Sequence, residues 1–464
     1  MPGLFRSFSV ENLFTSLALA FGLLGCSASQ PPSRPLTPAT PVAATPTPPA
    51  PRYFTPRIAQ PSTSLVLLGV DVLEAQGFAP IKGKRVGLLT HAAGVNRNGV
   101  SSVEVLRRAP NVKLVALFSP EHGLYSLEKA SVNVASGTDP RTGLPVYSLH
   151  GAATKPTKAM LKGLDALVVD LQDIGTRSYT YVATMKLAME ACFENNVEFV
   201  VLDRPNPLGG LKADGPPLDA KWVSWNVGSF RVPYVHGLTI AELARMAKEA
   251  PGVLGVPDNV RARGRLTIVP MRGWRRSMRW PETGLNWVPT SPMIQDFAAV
   301  LGYPMVGLGA FANPPKIDTG FRHGIGTAYP FRGISHKTVK IDILERELLA
   351  LNLPGIQFRR VSAPDRDGKP AVGLYVEITD YDEWRPTELN FWLMKLACKL
   401  SPQNPFLPGP GRDFSGFLRH MGSEQFLQAL QRDGARVDVA AFIADWERRA
   451  AIYRAATKRY WLYQ

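Results

Sequence analysis

Lys113-Leu114-Val115-Ala116-Leu117-Phe118 runs directly into Ser119-Pro120-Glu121-His122-Gly123. The first six residues have the length and composition of a buried parallel strand, and the proline and glycine stop it. A carboxylate and an imidazole therefore sit side by side at a strand's carboxyl end, the end that faces the ligand crevice in open α/β sheets. The pattern recurs. Leu167-Val168-Val169-Asp170 leads into Gln172-Asp173-Ile174-Gly175-Thr176-Arg177, and Phe199-Val200-Val201-Leu202 leads into Asp203-Arg204-Pro205-Asn206-Pro207. Taken singly, each acid also fits as a cap or turn residue, as Asp203 before Arg204-Pro205-Asn206 illustrates. Three such loops in series predict one shared site.

The segments around these strands alternate in type. Arg85–Thr90 reads as a further strand, and Ser101-Ser102-Val103-Glu104 as a capped helix start. Residues 181–195 carry a helix. Thr239 opens another, with Glu242 three residues on as a capping box. Leu266-Thr267-Ile268-Val269-Pro270 closes the series as a strand. Strands alternating with helices predict an α/β fold, a mainly parallel sheet with helices on both faces. Past residue 300 the texture changes to strands at 355–360 and 371–378, joined by the turn Asp365-Arg366-Asp367-Gly368, and then to helices. This predicts a smaller α+β domain over 301–464, after an α/β domain over 63–300, with a site in the cleft between them.

The chain has 464 residues, enough for two or three domains, and a formal charge of +15. That charge suits an anionic neighbourhood, or serves as a diffuse solubilising surface. No lysine-arginine block with interleaved aromatics and no zinc-finger spacing occurs, which disfavours nucleic acid. No Gly-x-Gly-x-x-Gly follows the first strand and no Walker loop is present, so no dinucleotide or nucleotide cofactor is expected. Of the three cysteines, Cys192 and Cys398 lie in apolar helical stretches and read as buried hydrophobes; no Cys-x-x-Cys spacing suggests a metal.

Cys26 differs. Arg6, an apolar stretch over 13–24 and then Leu23-Leu24-Gly25-Cys26-Ser27 describe an export signal, too short for an ordinary membrane span. Leu-Leu-Gly-Cys resembles the bacterial lipobox, which implies a signal over 1–26, a lipidated Cys26 and a membrane partner reached through acyl chains. Ser27, where an aspartate would retain the protein, is similar to Gram-negative lipoproteins of the outer membrane facing the periplasm. Residues 27–62 are rich in Pro, Thr and Ala and cannot bury a core. They are expected to form an extended tether with an upper reach on the order of 110 Å.

Several ordered motifs carry a family resemblance: Lys84 to Thr90, Phe118 to Gly123, Thr142-Gly143-Leu144-Pro145-Val146-Tyr147-Ser148, Lys155-Pro156-Thr157, Gln172-Asp173-Ile174-Gly175, Asp203 to Gly210, and His236-Gly237-Leu238-Thr239. From about Gly69 to its end the chain resembles the exo-β-N-acetylmuramidases, bacterial glycosidases formerly catalogued as a domain of unknown function. The resemblance implies a Rossmann-like N-terminal domain, a smaller C-terminal domain, and release of N-acetylmuramic acid from the non-reducing ends of peptidoglycan fragments. Family members carry a glutamate where this chain has Ala310, and arginines where it has Ile325 and Tyr329. These departures suggest a changed substrate, replacement by Asp318, Arg322 and His323, or a binding protein without turnover.

Glycoside cleavage commonly needs a carboxylic acid at the leaving oxygen and a carboxylate or substrate group opposite it. Glu121 is the first candidate for general acid, with His122 to orient it or bind substrate. Asp173 and Asp203 are candidates for the second carboxylate or for sugar hydroxyls, and a 2-acetamido group can itself act as nucleophile. Arg177 fits the lactyl carboxylate of muramic acid, or an ion pair with Asp173. Tyr179 and Tyr181 suit sugar stacking or packing. Arg204, Asn206, fixed between two prolines, and His236 complete the candidate substrate-binding set.

Overall fold

The computed structural model describes residues 65–308 and 317–464. The expected lipoprotein signal with Cys26, the 27–62 tether and Ala310 lie outside the described residues. Seven strands form the first sheet: β1 (Arg85–Thr90), β2 (Lys113–Ser119), β3 (Gly137–Thr138), β4 (Pro145–Ser148), β5 (Ala166–Asp170), β6 (Glu198–Leu202) and β7 (Leu266–Val269). Their order is β3-β4-β2-β1-β5-β6-β7, parallel throughout except for the short β3–β4 pair.

Alternation within the apolar runs explains why helices cover both faces. Val86, Leu88, Val168, Val200 and Leu202 pack on one side, with Val70 and Leu73 of Gly69–Ala75 and with Val105 and Leu106 of Ser102–Arg107. Leu89, Leu167, Val169, Phe199 and Val201 pack on the other, against the helices Thr180–Glu194 and Ile240–Glu249. Strands buried on both faces read as continuous hydrophobic runs, which is how they stand in the sequence. Both predicted caps form. Ser101 Oγ accepts from Glu104 N, and the Thr239–Glu242 box closes reciprocally at 3.2 and 3.0 Å.

The second sheet is antiparallel, with β8 (Phe321–His323), β9 (Gly333–His336), β10 (Ile356–Pro364) and β11 (Pro370–Ile378) in the order β10-β11-β9-β8. Asp365 Oδ1 accepts from Asp367 N and Lys369 N in the predicted turn between β10 and β11. Among the helices that follow, one stretch is broken into Ser415–Met421 and Gln425–Asp433. Gly422 makes the break, with φ 82° and no room for a Cβ, which would lie 2.7 Å from Arg177 Nη2. The helix Phe297–Val306 runs across residue 300. One hydrophobic cluster extends from Leu89 and Val169 of the first sheet through Met305 to Phe391, Phe417 and Trp446.

The C-terminal residues return to the first lobe and settle the role of Asp203. Its carboxylate is fully buried and accepts from Thr239 Oγ1 (2.8 Å), Ala241 N (3.0 Å) and Tyr463 Oη (2.5 Å). Leu462 N donates to Glu242, which pairs with Arg276 at 2.6 Å beneath the Trp461 ring. The expectation that Asp203 meets a sugar is therefore corrected: it caps a helix and fastens the chain's end.

Burial, outweighing three donors and reinforced by Glu242, pushes the Asp203 carboxyl up to about 7. The folded protein holds this proton more tightly than the unfolded chain. The resulting stabilisation is complete below the ordinary carboxylate range and is lost as pH rises through about 7. Asp203→Asn should accordingly flatten the profile. Its melting temperature should change less than that of the unaltered protein between about pH 5 and pH 8 in thermal melts. Equal falls in both proteins would remove Asp203 as the source.

Candidate active site

From β1 the chain moves outward to β2, whereas from β5 it moves the opposite way to β6. The crevice of such a sheet opens where the connections diverge, at the carboxyl ends of β1 and β5. His91, the residue after β1, bridges that point. Its Nε2 accepts from Gln172 N at 3.0 Å, which holds the loop after β5 against the end of β1. Burial, with the charges of Arg204 and His122 adding, pushes the His91 imidazole well below its ordinary range, so it stays neutral and able to accept. Sequence reasoning passed over His91, although it follows its strand as Glu121 nearly follows β2.

Glu121 lies just beyond β2, mostly buried. Its Oε1 accepts from Ser131 N at 2.8 Å and lies 3.6 Å from His150 Nε2; its Oε2 accepts from Thr180 Oγ1 at 2.7 Å. His122 holds a left-handed backbone with φ 72° and is followed by Gly123 at φ 76°. A non-glycine residue there costs of order 1–3 kcal/mol, and such strain gathers at functional sites. The turn is secured by His122 Nδ1 donating to the Glu128 carbonyl at 2.7 Å.

The loop after β5 supplies the second carboxylate. Asp173 Oδ2 accepts from Gly175 N at 2.7 Å and lies 3.4 Å from His236 Nε2. His236 Nδ1 accepts from Leu238 N at 3.2 Å, which places the imidazole proton on the Nε2 that faces Asp173. Asp173 Oδ1, Gln172 Oε1 and His236 Nε2 are buried and have no hydrogen-bond partner among the described residues. Buried polar atoms are rarely left so, and three on neighbouring segments mark hydrogen-bonding capacity available to a ligand.

The C-terminal lobe closes the site. Tyr303 lies 3.3 Å from Ser178 Oγ through its hydroxyl. Burial pushes its phenol up to about 12, and the charges of Glu121 and Asp173 both add to the rise. Both carboxylates are thus within electrostatic reach of one phenol. His420, half-buried beside Arg177, is pulled down to about 4 by desolvation and by the charges of Arg177 and Arg419, and Glu121 opposes the fall. Sequence reasoning did not place His420 or Tyr303 at the site, because each comes from a helix remote along the chain.

Asp173 and His236 face each other at 3.4 Å, and Glu121 and His122 stand together at the end of β2; the other candidates are held by partners within the fold. Arg177 is the largest correction. Its guanidinium donates to the carbonyls of Pro216 (2.9 Å), Val232 (2.8 Å), His420 (2.8 Å) and Met421 (3.1 Å), which leaves no paired N–H face for a carboxylate and no ion pair with Asp173. Tyr179 packs edge-on against Tyr181 and Tyr303 and donates to Thr290 Oγ1, so it is a packing residue. Tyr181, equally buried, donates to the Thr290 carbonyl. Arg204 pairs with Asp170 in a fully buried ion pair at 2.5 Å. Asn206 Nδ2 donates to the Leu238 carbonyl and Oδ1 accepts from Leu208 N, bracing a Gly175 that has no room for a Cβ.

The N-terminal and C-terminal domains of exo-beta-N-acetylmuramidase NamZ match residues 86–298 and 303–463. The peptidoglycan beta-N-acetylmuramidase NamZ of Bacillus subtilis is 38% identical over 343 residues, covering 73% of this chain and 79% of that protein. This chain belongs to the NamZ exo-β-N-acetylmuramidase family. Two crystal structures of DUF1343 family proteins from Bacteroides fragilis share the fold. The first has a TM-score of 0.74 at 36% identity and the second 0.66 at 26%; each comparison covers 86% of this chain and 99% of the other.

Within the NamZ family the departures noted in the sequence take on physical meaning. Ile325 is fully buried and lies against Gly333 and Gly373, so it is a core residue. Tyr329, at φ 56°, packs edge-on against Tyr375. Asp318 is exposed and paired with Lys337. Its carboxyl is held below the ordinary range chiefly by that lysine, which makes it a surface ion pair and no substitute for a catalytic acid. His323 stacks on Phe331, whose ring in turn touches Tyr303.

The clamp reading of Arg177 is testable. Arg177→Met should cost at least about 3 kcal/mol of stability in chaotrope melts, since four buried carbonyls lose their donor and each loss costs about 1–3 kcal/mol. The folded fraction should keep the same KM ratio between muramic-acid and N-acetylglucosamine glycosides. A selective rise in KM for the muramic sugar would restore Arg177 as a carboxylate reader.

Proposed function

We propose that this NamZ-family glycoside hydrolase releases N-acetylmuramic acid from the non-reducing ends of peptidoglycan fragments, with Glu121 as proton donor to the leaving oxygen. The observation that carries the assignment is the pair of carboxylates beyond the carboxyl ends of β2 and β5: Glu121, held by Ser131 N and Thr180 Oγ1, and Asp173, held on one oxygen by Gly175 N. Glu121 has the nearby His150 imidazole, 3.6 Å away, through which its proton is replaced between turnovers. Asp173 is the second carboxylate. His236 and the Gly175 amide orient it, and its unpartnered Oδ1 is left for the substrate. His122 binds substrate from the strained turn beside Glu121.

Glu121→Gln keeps the shape and removes the transferable proton. Since general acid catalysis contributes about 10²- to 10⁴-fold, kcat on a chromogenic muramide should fall by that order while the melting temperature is kept. Full activity in this variant would sink the mechanism. A parent protein inert on every muramide, yet able to bind cell-wall fragments, would favour the non-catalytic reading suggested by Ala310, and activity on another acidic glycan would move the substrate.

The lipobox-like Leu23-Leu24-Gly25-Cys26 and the Pro-rich segment after it support the placement of this enzyme as a tethered lipoprotein of the outer membrane, facing the periplasm. Cys26→Ala should release the protein from the membrane fraction or stall its processing. Unchanged partitioning with normal processing would count against lipidation.

A further inference from the structure

A second cavity of about 430 Å³ is lined by Leu218, Val223, Ser229, Arg231 and Val232, by Pro251 to Val253, and by Arg449 and Tyr453 of the helix Val439–Thr457. Its volume is in the range of small-molecule sites. No catalytic candidate lines it, and no carboxylate does. Ser229 is 4% exposed and its Oγ is buried without a partner. Arg231 makes no hydrogen bond or ion pair among the described residues, while Arg449 is paired with Asp445 at 2.7 Å. The walls are aliphatic side chains and prolines, and prolines offer no N–H. A cavity whose polar donors are a buried hydroxyl and the guanidinium groups of two exposed arginines at its rim, beside aliphatic walls, selects an anion with an apolar body.

We propose that this cavity binds a small organic carboxylate with an aliphatic body, and that its occupancy is transmitted to Asp173. Arg231 and the orphaned Ser229 hydroxyl take the carboxylate, and Leu218, Val232 and Val253 take the body. Two connections lead to the active site. Tyr453 donates to the His236 carbonyl at 3.0 Å, and His236 faces Asp173. The carbonyls of Val232 and Pro216, in the cavity wall and next to it, are the ones that Arg177 holds from the loop carrying Asp173. The binding claim is independent of the catalytic assignment; the transmission claim rests on it.

Calorimetric titration of the full chain with N-acetyl-alanyl-alanine and with hexanoate, each beside its uncharged amide, tests the proposal and separates a peptide source from an acyl one. At least one acid should bind, with its amide at least about tenfold weaker, since a hydrogen bond to a charged group contributes about 1.5–3 kcal/mol. Arg231→Gln and Ser229→Ala should weaken that acid by about tenfold, and Glu121→Gln should leave it unchanged. Saturating acid should shift KM or kcat for muramide hydrolysis in the parent protein and not in Arg231→Gln. Equal binding of acid and amide, no binding of either acid, or binding lost in Glu121→Gln but kept in Arg231→Gln would overturn the site. Binding with unaltered hydrolysis would overturn the transmission, and a parent protein inert on muramides that still binds the acid through Arg231 would leave the site standing while the catalytic reading falls.

Discussion

One buried guanidinium fixes the geometry on which the rest depends. Arg177 leaves the loop after β5 and binds carbonyls from three other segments: Pro216, Val232, and the His420–Met421 end of a C-terminal helix. It has no carboxylate partner among the described residues, and burial pulls it down to about 10, still charged at neutral pH. A charge so placed is tolerable only because backbone dipoles solvate it from several sides. It therefore dictates where those segments lie. Gly422 must be glycine partly because the guanidinium occupies the space a Cβ would take. The loop that presents Asp173 is thereby locked to the lobe that presents Tyr303 and His420.

This explains why the sequence was readable in some places and opaque in others. The strands of the first sheet are buried on both faces, so their apolar runs are unbroken and their ends sharp; β1, β5 and β6 stand where the pattern puts them. The capping box at Thr239 is a local chemical arrangement and was equally legible. By contrast β8 and β9, of three and four residues, are bounded by Gly320, Gly324 and Gly333 and carry no period long enough to detect. The helix at Phe297–Val306 is apolar nearly throughout and holds a proline, so it shows neither a face nor a clear end.

For the site, the strand-end rule located the crevice but could not sort the polar residues at its rim. Asp203 and Asp173 occupy comparable positions after neighbouring strands. They differ in what arrives from far along the chain: Tyr463 fills the remaining capacity of Asp203, whereas none of the described residues fills Asp173 Oδ1. Arg204 is taken by Asp170 in the same way. These assignments hinge on contacts between residues 34 to 260 positions apart, which no local pattern records. The replacements at Ile325 and Tyr329 were legible as departures from a family, but that Ile325 is core is a property of the packed β9 and β11.

A physical division follows among the charged groups. Those closed off from water are each held by several fixed partners: Arg204 by Asp170 and the Val95 carbonyl, Arg276 by Glu242 and two carbonyls, Arg177 by four carbonyls, with the Nε of Arg276 and of Arg177 unpaired among the described residues. Leaving such a charge incomplete is expensive, so these residues hold the fold and cannot also turn to a ligand. The two carboxylates at the crevice are held differently. Glu121 is gripped by one amide and one hydroxyl, and an imidazole stands at 3.6 Å, beyond ordinary hydrogen-bond length. Asp173 is gripped on one oxygen only. Partial satisfaction fixes orientation while leaving capacity for a further group, and that residual capacity, more than residue type or position in the loop, sets Glu121 and Asp173 apart from the charges that hold the fold.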